Sequence, residues 1–250
     1  MVLTLVSGRK LKKMELIVKK SIEDIAKEVA SIFIHKVKTN PKATLGLATG
    51  SSPIAIYQEI IQTAKVEGVS FKEVRTFNLD EYIGLEDKTK SYSQFMKDNL
   101  FNFIDIDTTK TYFPSENRLD KYDGYILKAG GIDIQLLGIG QNGHIAFNEP
   151  GTPFNSKTHI VELDERTRQD NLRFFDSLDQ VPTHAVTMGL ETIMNAKEII
   201  MIVLGDNKVE TLKQLFVSQP NPDFPASILH NHASVKVYTS MDLFKKSFVV

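Results

Sequence analysis

Apolar residues along this chain come in two rhythms that take turns. Short continuous or alternating apolar runs read as strands: Leu16-Ile17-Val18, Leu45-Gly46-Leu47-Ala48, Val74 to Leu79, Ile132 to Leu137, His159 to Leu163, Ile199 to Leu204 and Ser234 to Thr239. Between them the spacing lengthens to that of helices. Ile22, Ile25, Ala26, Val29, Ile32 and Phe33 give one apolar face behind Ser21, which with Asp24 makes a variant capping pair, and Asn40-Pro41 stops the segment. Further helices are predicted from Ile54 to about Ala64, Ser91 to Phe101, Asp120 to Lys128, Asp164 to Phe175, Gly189 to Met194, and from Gly205-Asp206-Asn207-Lys208 to about Phe216. Strands alternate with helices throughout, with no repeat and no clear linker. The pattern therefore predicts one α/β domain with a mainly parallel sheet over residues 14–250, ending in a short tail. Met14 begins a fresh strand-like run, so residues 1–13 read as a dispensable leader or a misassigned start.

Composition narrows the classes. The 250 residues are 42% hydrophobic and 24% charged, enough chain to bury a sizeable core. With no cysteine there are no disulfides, thiolate metal sites or cysteine nucleophiles, which suits a cytoplasmic location. A formal net charge of −1 gives no basic field for nucleic acid. The apolar start precedes its cations Arg9, Lys10, Lys12 and Lys13, the reverse of a secretory signal, and no apolar run approaches membrane-spanning length. The expected partner is a small molecule, with no nucleic acid and no membrane.

The candidate chemistry lies where predicted strands end. The run from Ile132 leads into Gly138-Ile139-Gly140-Gln141-Asn142-Gly143-His144-Ile145-Ala146-Phe147-Asn148-Glu149-Pro150. Its glycines permit tight turning and close approach to a ligand, and His144, Asn148 and Glu149 supply an imidazole, an amide and a carboxylate. Leu45 to Ala48 runs into Thr49-Gly50-Ser51-Ser52-Pro53, where Ser52 suits an N-cap and Pro53 the first helical position. Free N–H groups, hydroxyls and the helix dipole there make an anion cradle, although a well-capped helix that binds nothing has the same sequence. The Gly-Lys-Ser/Thr of a nucleotide loop is missing, so a small phosphorylated metabolite fits better. Asp80-Glu81-Tyr82 closes another strand, and its adjacent carboxylates repel unless one is shifted or solvated. The polar segment carrying Arg166, Arg168 and Arg173 reads as a surface helix or as a lid presenting an arginine, and Lys208 as a chance cation or a second anion ligand.

Together, Leu45 to Pro53, Phe77-Asn78-Leu79-Asp80-Glu81-Tyr82, Gly138 to Pro150 and Leu204-Gly205-Asp206-Asn207-Lys208 resemble the glucosamine-6-phosphate deaminase (isomerase) family in content and order. The most specific part is Gly-His-Ile-Ala-Phe-Asn-Glu-Pro at 143–150; related 6-phosphogluconolactonases have the Gly-His loop without the Phe-Asn-Glu-Pro continuation. The resemblance implies a Rossmann-like open sheet flanked by helices on both faces. It also implies conversion of glucosamine 6-phosphate and water to fructose 6-phosphate and ammonia. On it, Asp80 moves the C2 proton to C1, His144 opens the sugar ring, and Asn142 and Glu149 support that histidine. Thr49, Gly50, Ser51, Ser52, Arg173 and Lys208 match the family's phosphate ligands. No step calls for a redox cofactor, and a lone histidine without cysteine is a poor metal set, so neither cofactor nor metal is expected.

Two features depart from parts of the family. Some members have Asp where this chain has Asn142, so an amide is expected to orient the ring without adding charge. The chain also ends soon after its last strand, where longer members have an extension associated with hexamers and with activation by N-acetylglucosamine 6-phosphate. A monomer or low-order homo-oligomer without such activation is the expectation. The alternatives are a galactosamine-6-phosphate deaminase, a 6-phosphogluconolactonase and a non-catalytic sugar-phosphate sensor.

Overall fold

The computed structural model describes residues 2–7 and 12–248. In chain order the elements are β1 (Val2–Ser7), β2 (Lys12–Lys19), α1 (Ile22–Thr39), β3 (Thr44–Leu47), α2 (Ile54–Glu67), β4 (Arg75–Asn78), β5 (Asp80–Tyr82), α3 (Tyr92–Asn99), β6 (Thr111–Tyr112), α4 (Leu119–Lys128) and β7 (Ile134–Leu137). They continue with β8 (His159–Glu162), α5 (Glu165–Asn171), β9 (His184–Thr187), α6 (Leu190–Met194), β10 (Glu198–Val203), α7 (Val209–Val217), β11 (Ser234–Ser240) and α8 (Met241–Phe248). Eight strands make the main sheet in the order β1-β2-β11-β10-β7-β3-β4-β6, all parallel except β1, which pairs antiparallel with β2. This is the Rossmann-like open sheet flanked by helices that was expected. Of the residues read as a leader, Val2–Ser7 form the edge strand, while residues 1 and 8–11 lie outside the described residues.

Every residue of β3 and β7 is buried, as is β10 from Ile199 onward. Such strands are covered on both faces, so their sequences do not alternate; they are mostly apolar, with Thr44 of β3 and Gln135 of β7 as buried polar exceptions. Helix α1 shows the complementary logic. Ser21 Oγ accepts from the Asp24 N–H at 3.2 Å, and Ile25, Ala26, Val29, Ala30, Phe33, Ile34 and Val37 form the buried stripe. Loss of the Ser21 cap costs about 1 kcal/mol, whereas Phe33→Ala in the core costs roughly 3–5 kcal/mol.

Strand order places the site. From β3 the chain moves through β4 to β6 in one direction; from the neighbouring β7 it moves through β10 to β11 in the other. A crevice therefore opens above the carboxyl ends of β3 and β7, the position where open α/β sheets bind ligands.

A second sheet, β5-β9-β8, is antiparallel. Here the structure corrects the reading of Asp80-Glu81-Tyr82 as the close of the β4 strand: these residues form a strand of their own. The Leu79 N–H still donates to Leu47 of the main sheet at 3.2 Å, but the next residue, Asp80, already pairs with Thr187 of β9. Three other boundaries differ. Helix α2 starts at Ile54, with Pro53 at its cap position and no side-chain cap bond, so Ser52 is not an N-cap. The segment from Asp164 shortens to α5 plus a 3₁₀ turn, Leu172–Phe174. The tail after the last strand is helical, because Leu243 is buried and Phe244 and Phe248 pack together. Among the described residues no helix is long and apolar enough to cross a membrane.

Candidate active site

A cavity of about 570 Å³ fills the crevice. Of the residues named from sequence, Thr49, Gly50, Ser51, Ser52, Asp80, His144, Arg173 and Lys208 line it. Asn142 and Glu149 do not; they stand behind His144. Asn148 is fully buried and serves the scaffold, its amide donating to Ile145 and Met188 carbonyls at 2.9 and 2.8 Å.

The loop after β7 is folded around the imidazole. A Cβ on Gly140 would stand 2.2 Å from the His144 ring, so that glycine is needed for the ring to lie against the backbone. Gly143, at φ +84°, lacks room for a Cβ because Phe224 occupies it at 2.2 Å. The close approaches these glycines allow are thus to the protein's own side chains. Asn142 closes the turn, its Oδ1 accepting the His144 N–H at 3.2 Å. Its Nδ2 donates to Glu149 Oε2 at 2.7 Å, so it orients the carboxylate rather than the ring. The same Glu149 oxygen lies 3.3 Å from His144 Nδ1, and the other accepts from the Thr167 hydroxyl. Burial on its own would raise the Glu149 carboxyl; the groups of His144, Thr167 and Asn142 together outweigh it and hold the carboxyl below its usual value. Ala146 adopts φ +53°, a left-handed conformation that a non-glycine residue rarely takes, on the cavity wall.

Asp80 has the opposite surroundings. It is buried, and among the described residues no hydrogen-bond donor reaches its carboxylate. Burial first, and then the neighbouring Glu81 charge, push its carboxyl up to about 8. A carboxyl of that proton affinity, at the junction of two sheets and open to the crevice, is suited to proton transfer near neutral pH.

The far wall is cationic. Lys208 follows β10, past Gly205 at φ +97°, and sits half-buried in a 3₁₀ turn. Burial pulls its ammonium down to about 8; Arg173 and Arg166 reinforce the fall and Asp170 opposes it. Arg173 lies over the Phe174 ring, 4.7 Å from its centroid. The Thr49–Ser52 turn lines the same cavity, and the Tyr57 hydroxyl donates to the Ala48 carbonyl just before it at 2.5 Å. Among the described residues none of the Thr49, Ser51 and Ser52 hydroxyls is engaged by another protein group. Cations and free hydroxyls at the start of a helix, lining one cavity, are suited to a phosphate-like anion. The other two arginines of this segment do not join it directly. Arg166 bonds Gln141 at 2.6 Å, and Arg168 turns inward to the carbonyls of Leu178 and Val181.

Two groups escaped the sequence reading. Tyr82, Tyr92, Phe147 and Phe175 build an aromatic wall, with Tyr82 and Tyr92 centroids 4.7 Å apart. Thr167 is buried against Glu149. Tyr82 and Phe147 belong to the quoted motifs but carried no role there, and a threonine on a polar helix carries no local sign of a partner eighteen residues away. Among the described residues no group of three or more His, Asp or Glu side chains is arranged to hold a metal ion.

Comparison with known proteins bears on this geometry. A profile of glucosamine-6-phosphate isomerases/6-phosphogluconolactonase matches residues 18–238. The glucosamine-6-phosphate deaminase of Shouchella clausii (strain KSM-K16) is 49% identical over 232 residues, covering 90% of this chain and 94% of that protein. The corresponding protein of Bacillus pumilus (strain SAFR-032) is 47% identical over 222 residues, covering 86% and 92%. A solved structure of a monomeric glucosamine-6-phosphate deaminase has a TM-score of 0.90 at 40% identity, covering 92% of this chain and 99% of that one. The 6-phosphogluconolactonase from Thermotoga maritima shares the fold, with a TM-score of 0.68 at 16% identity over 90% and 97% of the two chains.

Proposed function

We propose, from the premise that this chain belongs to the family of glucosamine-6-phosphate isomerases and 6-phosphogluconolactonases, that it converts glucosamine 6-phosphate and water to fructose 6-phosphate and ammonia. The observation that carries the reading is one crevice holding a proton-transfer carboxylate, Asp80, an imidazole, His144, and an anion-binding end formed by Thr49, Gly50, Ser51, Ser52, Arg173 and Lys208. The phosphate is the handle. Two cations and a helix start hold its charge and fix the sugar's direction in the cavity.

His144 then takes the proton of the anomeric hydroxyl and returns one to the ring oxygen, opening the pyranose to the aldehyde. Glu149, held by Asn142 and Thr167, fixes the imidazole from its Nδ1 side. Asp80 removes the C2 proton to give an enolamine and delivers a proton to C1, leaving an imine at C2. Water adds to that imine and ammonia departs. The substrate's ammonium, close to the Asp80 carboxylate, favours its charged form on binding and so prepares the base. Ring opening and isomerisation move protons through His144 and Asp80, and in the last step water supplies the oxygen that replaces nitrogen at C2.

The deciding experiment offers glucosamine 6-phosphate, its galactosamine epimer and 6-phosphogluconolactone to the purified protein in parallel. Ammonia and fructose 6-phosphate in equal amounts from the first is the expected result. Hydrolysis of the lactone alone, or binding of all three without turnover, overturns the reading. Ammonia from the galactosamine epimer in preference would reassign the substrate.

A further inference from the structure

Sequence alone leaves Asp80 and Glu81 as adjacent, competing carboxylates; the structure separates them. Along β5, Asp80 and Tyr82 are buried and face the crevice, while Glu81 between them is half-buried and points to the other side. There Glu81 Oε1 accepts the N–H of Tyr82 at 3.0 Å and of Tyr92 at 2.9 Å, and Oε2 accepts that of Ser93 at 2.9 Å. Tyr92 and Ser93 are the first two residues of α3, whose N–H groups have no acceptor within the helix. Ser91 caps only the next, taking the Gln94 N–H at 3.1 Å. The start of α3 is thus completed by a carboxylate from a different element, and it is the positive end of the helix that it meets.

We infer that Glu81 is a positioning residue, whose carboxylate ties the amino end of α3 to the strand carrying Asp80 so that base and aromatic wall keep one fixed relation. The inference rests on the reading of Asp80 as the base. Two charge-assisted bonds, to Tyr92 and Ser93, make the link to α3, the third holding the carboxylate against its own strand at Tyr82; each is roughly twice as strong as a neutral one. What the link fixes is functional surface. Tyr92 meets Tyr82 ring to ring and donates its hydroxyl to the Tyr82 hydroxyl at 3.1 Å, and Phe95 and Asn99 of the same helix line the cavity. Glu81 also acts on Asp80 through its charge, adding to the effect of burial that lifts the Asp80 carboxyl. The other groups around that carboxyl are the hydroxyls of Tyr82, Tyr92 and Tyr122, with His144, Asp170, Arg173 and Lys208 on the cavity wall. Glu81 is the only one of them adjacent to Asp80 in the chain and committed to a backbone clamp.

Glu81→Gln and Glu81→Asp in the full-length protein test this, with three readouts: hydrogen exchange at the Tyr92 and Ser93 amides, the Asp80 carboxyl titration by ¹³C NMR, and steady-state kinetics. Glu81→Gln removes the charge and sets an amide NH₂ against a backbone donor. Exchange at Tyr92 or Ser93 should accelerate, and the Asp80 midpoint should fall by about 0.5–1 pH unit. The kcat should drop roughly 10-fold or more, with affinity for inorganic phosphate unchanged. Glu81→Asp keeps the charge on a shorter arm, so it should accelerate exchange while holding the Asp80 midpoint near wild type. Unaltered exchange and an unaltered midpoint in folded Glu81→Gln overturn the inference. If Glu81→Gln does not fold, an Asp variant with wild-type exchange and kcat overturns it as well. A wild-type protein that releases no ammonia overturns the functional reading instead, and exchange and titration, which need no turnover, still decide the clamp.

Discussion

Asp80 and Glu149 are carboxylates withdrawn from water around one crevice, and their surroundings drive them apart. Glu149 has a hydroxyl on one oxygen and an amide and an imidazole at the other. Asp80 has no donor among the described residues and a negative neighbour in Glu81. Burial acts on both in the same direction; hydrogen bonding decides the outcome. Glu149 is held charged, below the ordinary carboxylate range, while Asp80 is lifted to about 8. The difference supports the proposed division of roles: the unsatisfied carboxylate is the one suited to transfer protons, and the satisfied one is suited to hold its neighbours still.

The hardest blow to the comparison is Asp80→Asn, which keeps the shape and removes the base. Turnover should fall by at least ~10³-fold, with binding of fructose 6-phosphate retained and no deuterium entering product from heavy water. Near-normal exchange would make Asp80 a bystander. Next are the cations that hold the handle: Lys208→Ala and Arg173→Ala should each raise KM roughly 10- to 150-fold, from about 1.5–3 kcal/mol per charge-assisted contact. Lys208→Arg separates charge from shape. Since a guanidinium stays protonated, the alkaline fall of kcat/KM that begins as Lys208 titrates near 8 should disappear. Unchanged KM in both alanine variants would place the phosphate elsewhere.

Stability breaks the comparison in another direction, because the two carboxylates have opposite linkage. The folded Asp80 value lies above the unfolded one, so its ionisation penalises the fold increasingly as pH rises from about 4 to 8. The Glu149 value lies below, so its contribution is present at neutral pH and is lost as pH falls through the folded value. Relative to wild type, Asp80→Asn should therefore gain about 5 °C in Tm between pH 5 and pH 8. Glu149→Gln should show its greatest loss at the neutral end. Parallel pH trends for the two variants would mean that the environments do not differ as described.

The smallest change sharpens the contrast within the loop. Asn142→Asp replaces a donor to Glu149 with a like charge, which should raise the Glu149 titration. Its Oδ still accepts the His144 N–H, so the turn should persist. A Glu149 titration identical to wild type would remove Asn142 from the network.

These results mark how far the sequence could be read. The strands β3, β7 and β10 and the loops that follow them were legible, because burial on both faces leaves short, mostly apolar runs with a glycine within three residues of each strand's end. The small sheet was not. Its strand β9 is His-Ala-Val-Thr, too short for a rhythm, and it exists by pairing β5 with β8. Within the site, Asp80, His144 and the cations could be named from the motifs and given roles only through the resemblance, because the contacts that surround each group join residues far apart in the chain. The sequence reading set Asn142 against the imidazole, and the structure sets it against Glu149. The resemblance singled out Asp80 and gave Glu81 no role; strand alternation sends the two carboxylates to opposite sides.

The packing of Phe224 on Gly143 reaches beyond the folded state. The Ala226 N–H also donates to the Gly143 carbonyl, and the Gly151 N–H to the Pro222 carbonyl, so the imidazole loop is braced by a segment that lies far downstream in the chain. A ribosome that has finished the loop has yet to make β8, β9, β10 and α7 before it reaches that brace. The growing polypeptide thus holds every residue of the loop long before it holds the loop's shape, and catalytic competence becomes a late event of synthesis, arriving with the last strands of the sheet.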